Sequence, residues 1–571
     1  GGANFRAVQA IADSVNQEFP HVRISTLAYN AALQPPAQMK FGQNVIVQLC
    51  MQPMNEFLPL SHPQNKPSRE LIRTWARTVP TLYIWDYINN YHNTLLPFPN
   101  YFTQATHIRE MRSLGVDGYF GQGTTNAGVE MIDLKTYVAG RTAFDPLLST
   151  DSLITEFTDG FYSSTAAPHV RAYMGLRMLL RMLLLLLASI ARSAIFVFAS
   201  PVALPTHVTV ATDGSPTELW AADRLAGVLA IPLMKLPPPT ASGDAQTTSA
   251  EMSAAESLAV SQIAVGFRAA TTLGVAPSTL SVLGDDAFFI GTARRSFIVE
   301  KEDAISSGGG SSVVVASSAD SARGTMNGAF ELMRMLGFRF LTENVTIPPK
   351  ILASLPPGFT GKVFSPPLVV RDVMTSPVTD HTAINRAIRA NFSASLGLNG
   401  NYDQAPVGGT PYWSYWGYDG SPTSWPRAGF VATAFALLSP HLLAPRSVPD
   451  LSVWQEHPQW FVCKSIHCKL KSGCPAEYPC SLESVNETYH AQPCWSNTSL
   501  QQYMVRSILR ILRRNPNASS ISVSNMDGTS VVCPADVSIN TAENTTGGAN
   551  FRAVQAIADS VNQEFPHVRI S

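Results

Sequence analysis

Short apolar runs alternate with amphipathic stretches along much of this chain. The runs at 368–373, 519–524, 22–28, 44–49, 81–85 and 117–120 have the length and β-branched content of buried strands. Apolar residues recur at helical spacing between several of them, at 68–78, 104–114 and 129–142. Repeated β–α units of this size predict a parallel sheet, and six or more strands predict closure into a (β/α)8 barrel. A second pattern occupies residues 205–355. The runs THVTVA (206–211), AFFIG (287–291) and SVVVA (312–316) read as strands, 323–337 as a helix, and 338–341 as a further strand. Ser215, Pro216 and Glu218 form a helix-start signature, with a capping serine, a proline in the first turn and a glutamate three residues on. The fold class expected is therefore α/β: a small α/β domain at 205–355 plus a barrel. The glycines at 308–310 lack a following Lys-Ser/Thr and are assigned no ligand.

The barrel pattern is in an unusual order. Residues 1–25 recur unchanged as residues 547–571. A structural repeat diverges and recurs several times, whereas this one is identical and lies at the two ends, as when a circle is opened and its seam read twice. The segment from Met174 has a basic start (Arg177, Arg181), an apolar run from 182 to 191 and small residues at cleavage spacing. That is the layout of a secretory signal peptide, and Arg192 argues against a membrane span. The expected domains are a C-terminal half-barrel at 1–150, a C-terminal helical segment at 151–173, a signal peptide at 174–204, the small domain at 205–355, and an N-terminal half-barrel at 366–571. The natural order would start near Met174, pass from Ser571 to Thr26 and stop near Tyr173.

Composition narrows the function. The charged fraction is 14% and the net charge −1, so nothing points to nucleic acid. Five of the seven cysteines, at 463, 468, 474, 480 and 494, cluster in a Lys/Pro/Gly-containing stretch. In an oxidising compartment this reads as a disulfide-stapled loop. The rival reading, zinc with His467, lacks the usual paired spacing. Cys50 and Cys533 lie outside the cluster, and the pairing stays open. Six glycosylation sequons, at Asn344, Asn391, Asn486, Asn497, Asn517 and Asn544, fit a secreted glycoprotein with no membrane association once the signal is removed. No cofactor or metal is indicated, and the sequence does not set the oligomeric state.

Barrel enzymes place their chemistry at the C-terminal ends of strands. Those ends carry Asn525 and Asp527, Tyr29 and Asn30, Trp85, Asp86 and Tyr87, and Gln122. Aromatic faces pack on a pyranose ring, while amides and carboxylates bond its hydroxyls. Asp527 and Asp86 form the available carboxylate pair for glycoside hydrolysis. Each has an alternative reading as a helix cap or loop carboxylate. His457, in EHPQWF, reads as a substrate contact or a structural residue.

Several stretches carry a resemblance. RGTMNGAFELMRMLGFRFLTENVTIPPK (323–350) resembles an α-glucuronidase-type N-terminal domain, a fold shared with hexosaminidases. LNG (398–400), EHPQWF (456–461), ISVSNMDG (521–528), FRAVQAIADSVNQEFPHVRISTLAY (5–29), LYIWDYINNYHNTLLPFPN (82–100) and EFTDGFYSSTAAPHVRAY (156–173), in the restored order, resemble a glycoside-hydrolase-like family, the domain of unknown function 4838. The resemblance implies a small α/β domain packed on a (β/α)8 barrel and a complex-glycan or uronic-acid substrate. Three departures stand out. Gly121-Gln122 replaces a Glu-Gln pair, Asn525-Met526-Asp527 replaces Gln-Asn-Asp, and the cysteines that usually follow are reduced to Cys533. Two functions are therefore expected: a secreted glycosidase acting on polysaccharide or oligosaccharide, or a carbohydrate-binding pseudoenzyme disabled at Gly121. A purely structural glycoprotein is the remaining alternative.

Overall fold

The structure, a computed structural model, describes residues 23–29, 33–36, 41–51, 53–91, 97–123, 129–182, 206–236, 262–284, 286–294, 311–319, 323–350, 355, 359–374, 391–399, 456–457, 460–463, 478–479, 491–514, 520–522, 533, 536–537 and 541. Its strands in chain order begin with β1 (Arg23–Ala28), β2 (Val45–Cys50), β3 (Thr81–Tyr87) and β4 (Gly118–Gln122). Next come β5 (His207–Ala211), β6 (Leu233–Leu236), β7 (Gln262–Val265), β8 (Phe288–Arg294), β9 (Ser311–Ala316), β10 (Arg339–Thr342), β11 (Val345–Ile347) and β12 (Gly361–Phe364). The last are β13 (Val370–Met374), β14 (Phe461–Cys463), β15 (Tyr478–Pro479), β16 (Ala491–Pro493) and β17 (Ser520–Ser522).

Two six-stranded sheets organise the chain. The first runs β13-β4-β3-β2-β1-β17, and every pairing in it is parallel. The six runs read from the sequence are the six strands of this sheet. All six residues of β2 are buried, as in a parallel strand covered on both faces. Tyr83 and Trp85 pack on one face with Leu27, Ile46, Cys50, Phe120 and Val370. Leu82 and Ile84 face the helices with Val45, Val47 and Leu49. Among the described residues β13 and β17 are the two edges. A closed barrel is therefore not shown, and the established architecture is mixed α/β with parallel sheets.

The helices form where the periodicity placed them, at Lys66–Thr78, Thr103–Ser113 and Ile132–Phe144. Lys66–Thr78 buries Leu71, Ile72 and Trp75. It stops at Val79 because the following Pro80 disfavours helical backbone in the residue before it. Thr150–Phe161 and Ser163–Met182 follow. The last of these runs unbroken through Tyr173–Met174, and Met174 is fully buried in the main core. Residues 183–204, the rest of the expected signal peptide, lie outside the described residues. So does the second copy of the duplicated segment, 547–571, while Arg23–Ser25 of the first copy pair with Ser520–Ser522. No helix among the described residues is long and apolar enough to cross a membrane.

The second sheet, β12-β8-β9-β7-β5-β6, is parallel except at β8, which runs against both β9 and β12. The helix Pro216–Leu229 starts on the expected capping box. Ser215 Oγ accepts from the Glu218 amide (3.2 Å), and Glu218 accepts from the Ser215 amide (2.8 Å). Glu218 also accepts from the Phe267 amide (2.8 Å), tying the box to the next helix. Ser215→Ala is expected to lower stability by about 1 kcal/mol in chemical denaturation; an unchanged midpoint would count against this role.

The two sheets are joined by buried polar contacts. Arg141, from Ile132–Phe144, bonds Glu331 of the helix Arg323–Met335 (2.6 Å). Asp286 accepts from Arg371 of β13 (3.0 Å), Asn399 (2.8 Å) and Arg323. Phe144 packs against Phe288 and Phe364, with ring centres 6.5 and 5.1 Å away. Cys494 lies within disulfide distance of Cys533, their Cα atoms 5.2 Å apart. One cysteine of the cluster thus pairs with one that spacing had left outside it. Cys468, Cys474 and Cys480 lie outside the described residues, as do the glycines 308–310.

Candidate functional site

Alternation along the strands decides what gathers at their C-terminal ends. Side chains of a strand point to opposite faces in turn, and parallel partners in register share a face. Cys50 is in register with Trp85, Trp85 with Phe120, and Phe120 with Asp372; Tyr87 is in register with Gln122. These residues share one face, Tyr87 and Gln122 one level beyond the others. Tyr29 continues that face from the end of β1, its ring centre 5.2 Å from Trp85. Trp85 lies 5.6 Å from Tyr87, which lies 5.4 Å from Tyr91. The indole of Trp85 donates to Gln122 Oε1 (2.5 Å), and the Cys50 thiol points at the Tyr87 hydroxyl (3.9 Å). Four aromatic rings, a carboxamide and the carboxylate of Asp372 thus share one face of the sheet. Tyr91 and Asp372 were missed in the sequence. Asp372 alternates with Arg371 and Val373, which face the other way, and that period was the available signal.

Asp86 lies on the opposite face. It is in register with Gly121 and 1% exposed, with Tyr119 donating to Oδ2 (3.0 Å) and the Tyr87 amide to Oδ1 (3.1 Å). Two residues not singled out in the sequence meet it there: Glu56, from the loop after β2, and His107, from Thr103–Ser113. One ligand atom from each of Glu56, Asp86 and His107 lies within 4.8 Å of the others, and all three residues are buried. His107 Nδ1 is 3.6 Å from Glu56 Oε2, and His107 Nε2 donates to the Leu58 carbonyl (2.7 Å). Burial pushes the Glu56 carboxyl up to about 8, and the neighbouring Asp86 charge adds to the rise. Burial also raises Asp86, against the His107 charge and the Tyr119 hydroxyl. For His107, burial disfavours the charge, but the neighbouring Glu56 carboxylate, then the Asp86 charge, outweigh it and hold the imidazole up to about 9. The sequence signal was present in part: Gln104 and His107 are polar residues on the buried stripe of their helix, one turn apart.

The loop carrying Glu56 is fixed from below. Asn65, fully buried, donates to the carbonyls of Asn55 (3.0 Å), Leu58 (2.9 Å) and Pro59 (3.1 Å) and accepts from the Asn55 amide (2.8 Å). Glu110 accepts from the amides of Leu60 (2.7 Å) and Ser61 (3.2 Å).

The remaining expected site residues divide. His457 stacks on Trp460 (3.9 Å between ring centres), whose own ring packs into the main core. Asn30, Asn525 and Asp527 lie outside the described residues. A Cβ at Gly121 would lie 3.2 Å from the Tyr119 hydroxyl and 3.3 Å from Ile88, on the Asp86 side of the sheet and not on the aromatic row.

No curated protein and no solved structure matches the chain. A sequence profile does, over residues 1–175 and 436–571, leaving out the small α/β domain and β13 between them. By that match, which spans more than half of its residues in two separated parts, the chain belongs to the family described as Domain of unknown function (DUF4838).

Proposed function

We propose that this protein binds and cleaves a glycan, as a secreted glycoside-hydrolase-like enzyme built on a (β/α)8 barrel in permuted order. The observation that carries the reading is the row Tyr29–Trp85–Tyr87–Tyr91, with Gln122 and Asp372 on the same face. Flat aromatic faces beside amide and carboxylate groups match the alternating apolar and hydroxylated surfaces of a sugar ring. Asp527 is the carboxylate proposed to meet the glycosidic bond. Asp86, held behind Trp85 and Tyr87, is proposed to act from the opposite face by fixing that platform. Uronic-acid-containing polysaccharide is the substrate class proposed, on the resemblance.

Several features support the barrel and the permuted order. β1 to β4 are adjacent in sequence order, β17 precedes β1 in the sheet, and β13 pairs with β4. In the restored order β13 opens the series and β4 ends it, so their pairing is the first-to-last contact a barrel makes. Asn399 donates its amide to the Arg371 carbonyl (3.0 Å), extending the pairing beyond β13. The family match breaks at residue 175, beside Met174. The Cys494–Cys533 pair and the sequons support an extracellular setting.

The test uses the full chain and, beside it, a chain running from Leu204 to Ser571 and then from Thr26 to Tyr173. Both are incubated with glucuronyl-oligosaccharides, and sugar release and binding are followed. Trp85→Ala is expected to weaken binding by about 30-fold, the equivalent of losing about 2 kcal/mol at one aromatic contact. Asp527→Asn is expected to cut release by roughly 10²–10⁴ with binding retained. Binding without release would leave a carbohydrate-binding protein. Neither binding nor release, in either order, would end both readings. The binding-only reading rests on Gly121, where a side chain would meet Tyr119 and Ile88.

A further inference from the structure

We propose that Glu56, Asp86 and His107 form a binding site for one divalent transition-metal ion of the zinc or manganese class, behind the aromatic row. The site stands independently of the glycan reading.

Three observations converge on it. The donors are prearranged: one ligand atom from each of the three side chains lies within 4.8 Å of the others, and all three residues are buried. Two of the donor atoms face each other across the site. His107 Nδ1 and Glu56 Oε2 are buried without a hydrogen-bond partner and face one another at 3.6 Å, in residues 0% and 8% exposed. Buried polar atoms without partners are costly and rare in native proteins, and an ion is one of the few occupants that satisfies several together. The surroundings are those of a metal-binding histidine. Leu58 O can only accept, so His107 Nε2 carries a proton and Nδ1 is the nitrogen turned toward the carboxylates. Tyr119 and the Tyr87 amide orient Asp86 in the same way, each using one lone pair of a different carboxylate oxygen and leaving others open.

The frame is rigid enough to keep the donors apart without an ion. Asn65 and Glu110 pin the loop that carries Glu56, and the Glu56 carbonyl accepts from Thr103 Oγ1 (2.7 Å) on the helix that carries His107. Asp86 comes from the end of β3, so three separate elements supply the donors. One imidazole and two carboxylates suit zinc or manganese. Calcium and magnesium prefer all-oxygen sites, and thiolate-seeking ions would find no sulfur among these three donors. Gln104 lies one turn before His107, its buried carboxamide beside the Tyr119 hydroxyl.

The experiment uses the full chain, stripped with a chelator, dialysed, and titrated with Zn2+, Mn2+ or Ca2+ alone. Binding is read by calorimetry and retained metal by elemental analysis. Co2+ spectra separate a nitrogen/oxygen site from the cysteine-rich stretch, where thiolate charge-transfer bands would appear. The expected result is one Zn2+ or Mn2+ per chain, no comparable uptake of Ca2+, and a Co2+ spectrum without those bands. Glu56→Gln keeps the shape and removes a ligand charge, and should weaken binding by at least about 100-fold. Tyr119→Phe leaves the three ligands in place and should weaken it by roughly 10–100-fold through the loss of Asp86 orientation. Absence of stoichiometric binding to the unaltered chain, or binding unchanged in both variants, would overturn the proposal and leave the three groups as a proton-sharing network. Glycan binding measured on the same samples separates this outcome from failure of the proposed function.

Discussion

Asp286→Ala is expected to destabilise the chain by about 3–5 kcal/mol, the cost of breaking a buried ion pair from one side. Asp286 accepts from Arg371 (3.0 Å), Asn399 (2.8 Å) and Arg323, and Arg371 is 1% exposed. With the carboxylate gone, the Arg371 guanidinium keeps its bonds to the Gly397 and Leu368 carbonyls but loses the opposite charge. Because Asp286 and Arg323 come from the small domain, Arg371 from β13 of the first sheet and Asn399 from the segment beside it, the loss falls on the junction between them. Burial disfavours the Asp286 charge, but the charges of Arg323 and Arg371 outweigh it and hold the carboxyl well below the usual range. A depressed folded-state pKa contributes stability above the unfolded value, near roughly pH 4, and that stability is lost as pH falls through the depressed value. The gap between the parent chain and the variant in urea denaturation should therefore be constant at neutral pH and narrow below about pH 4. A gap that persists undiminished in acid would assign the loss to packing instead.

Lys135→Met should act in the opposite direction and raise stability at neutral pH. Lys135 is fully buried on Ile132–Phe144, and its ammonium has no hydrogen-bond partner. The rings of Phe98 and Tyr101, 5.3 and 5.4 Å away, are the cation–π contacts it makes. Burial brings its pKa down to about 7, with the Glu130 charge opposing. The unfolded chain, with a lysine pKa near roughly 10.4, therefore binds the proton more tightly than the folded one. The penalty on the folded state is full below about pH 7 and disappears as pH rises past about 10. Methionine has similar length, equal helix propensity and no charge to desolvate. After allowing for the lost cation–π contacts, the gain at pH 7 is about 2–4 kcal/mol. It should shrink toward zero near pH 10. Equal stabilities at pH 7, or a gain independent of pH, would show that the ammonium is solvated in the folded state.

The sequence by itself determined the local elements of this protein. The strands and helices of the first sheet follow from apolar periodicity. The capping box at Ser215 and Glu218 follows from spacing alone, because each depends on residues a few positions apart. It also determined that aromatic and amide groups end several strands, and the structure brings Tyr29, Trp85, Tyr87 and Gln122 into one row. Asp86 had been grouped with them, yet it alternates with Trp85 and Tyr87, and a period of two sends it to the other face. Only tertiary structure decided what it meets there. Glu56 stands on a loop, His107 on a helix and Asp86 on a strand, and no periodicity links them; packing of the helix on the sheet does. The same holds for Asp286 and Arg371, 85 residues apart, and for Cys494 and Cys533, whose pairing spacing left open. Local patterns are set by backbone geometry over one or two turns. Buried charge clusters are set by which elements the core brings together, and that depends on the whole chain at once.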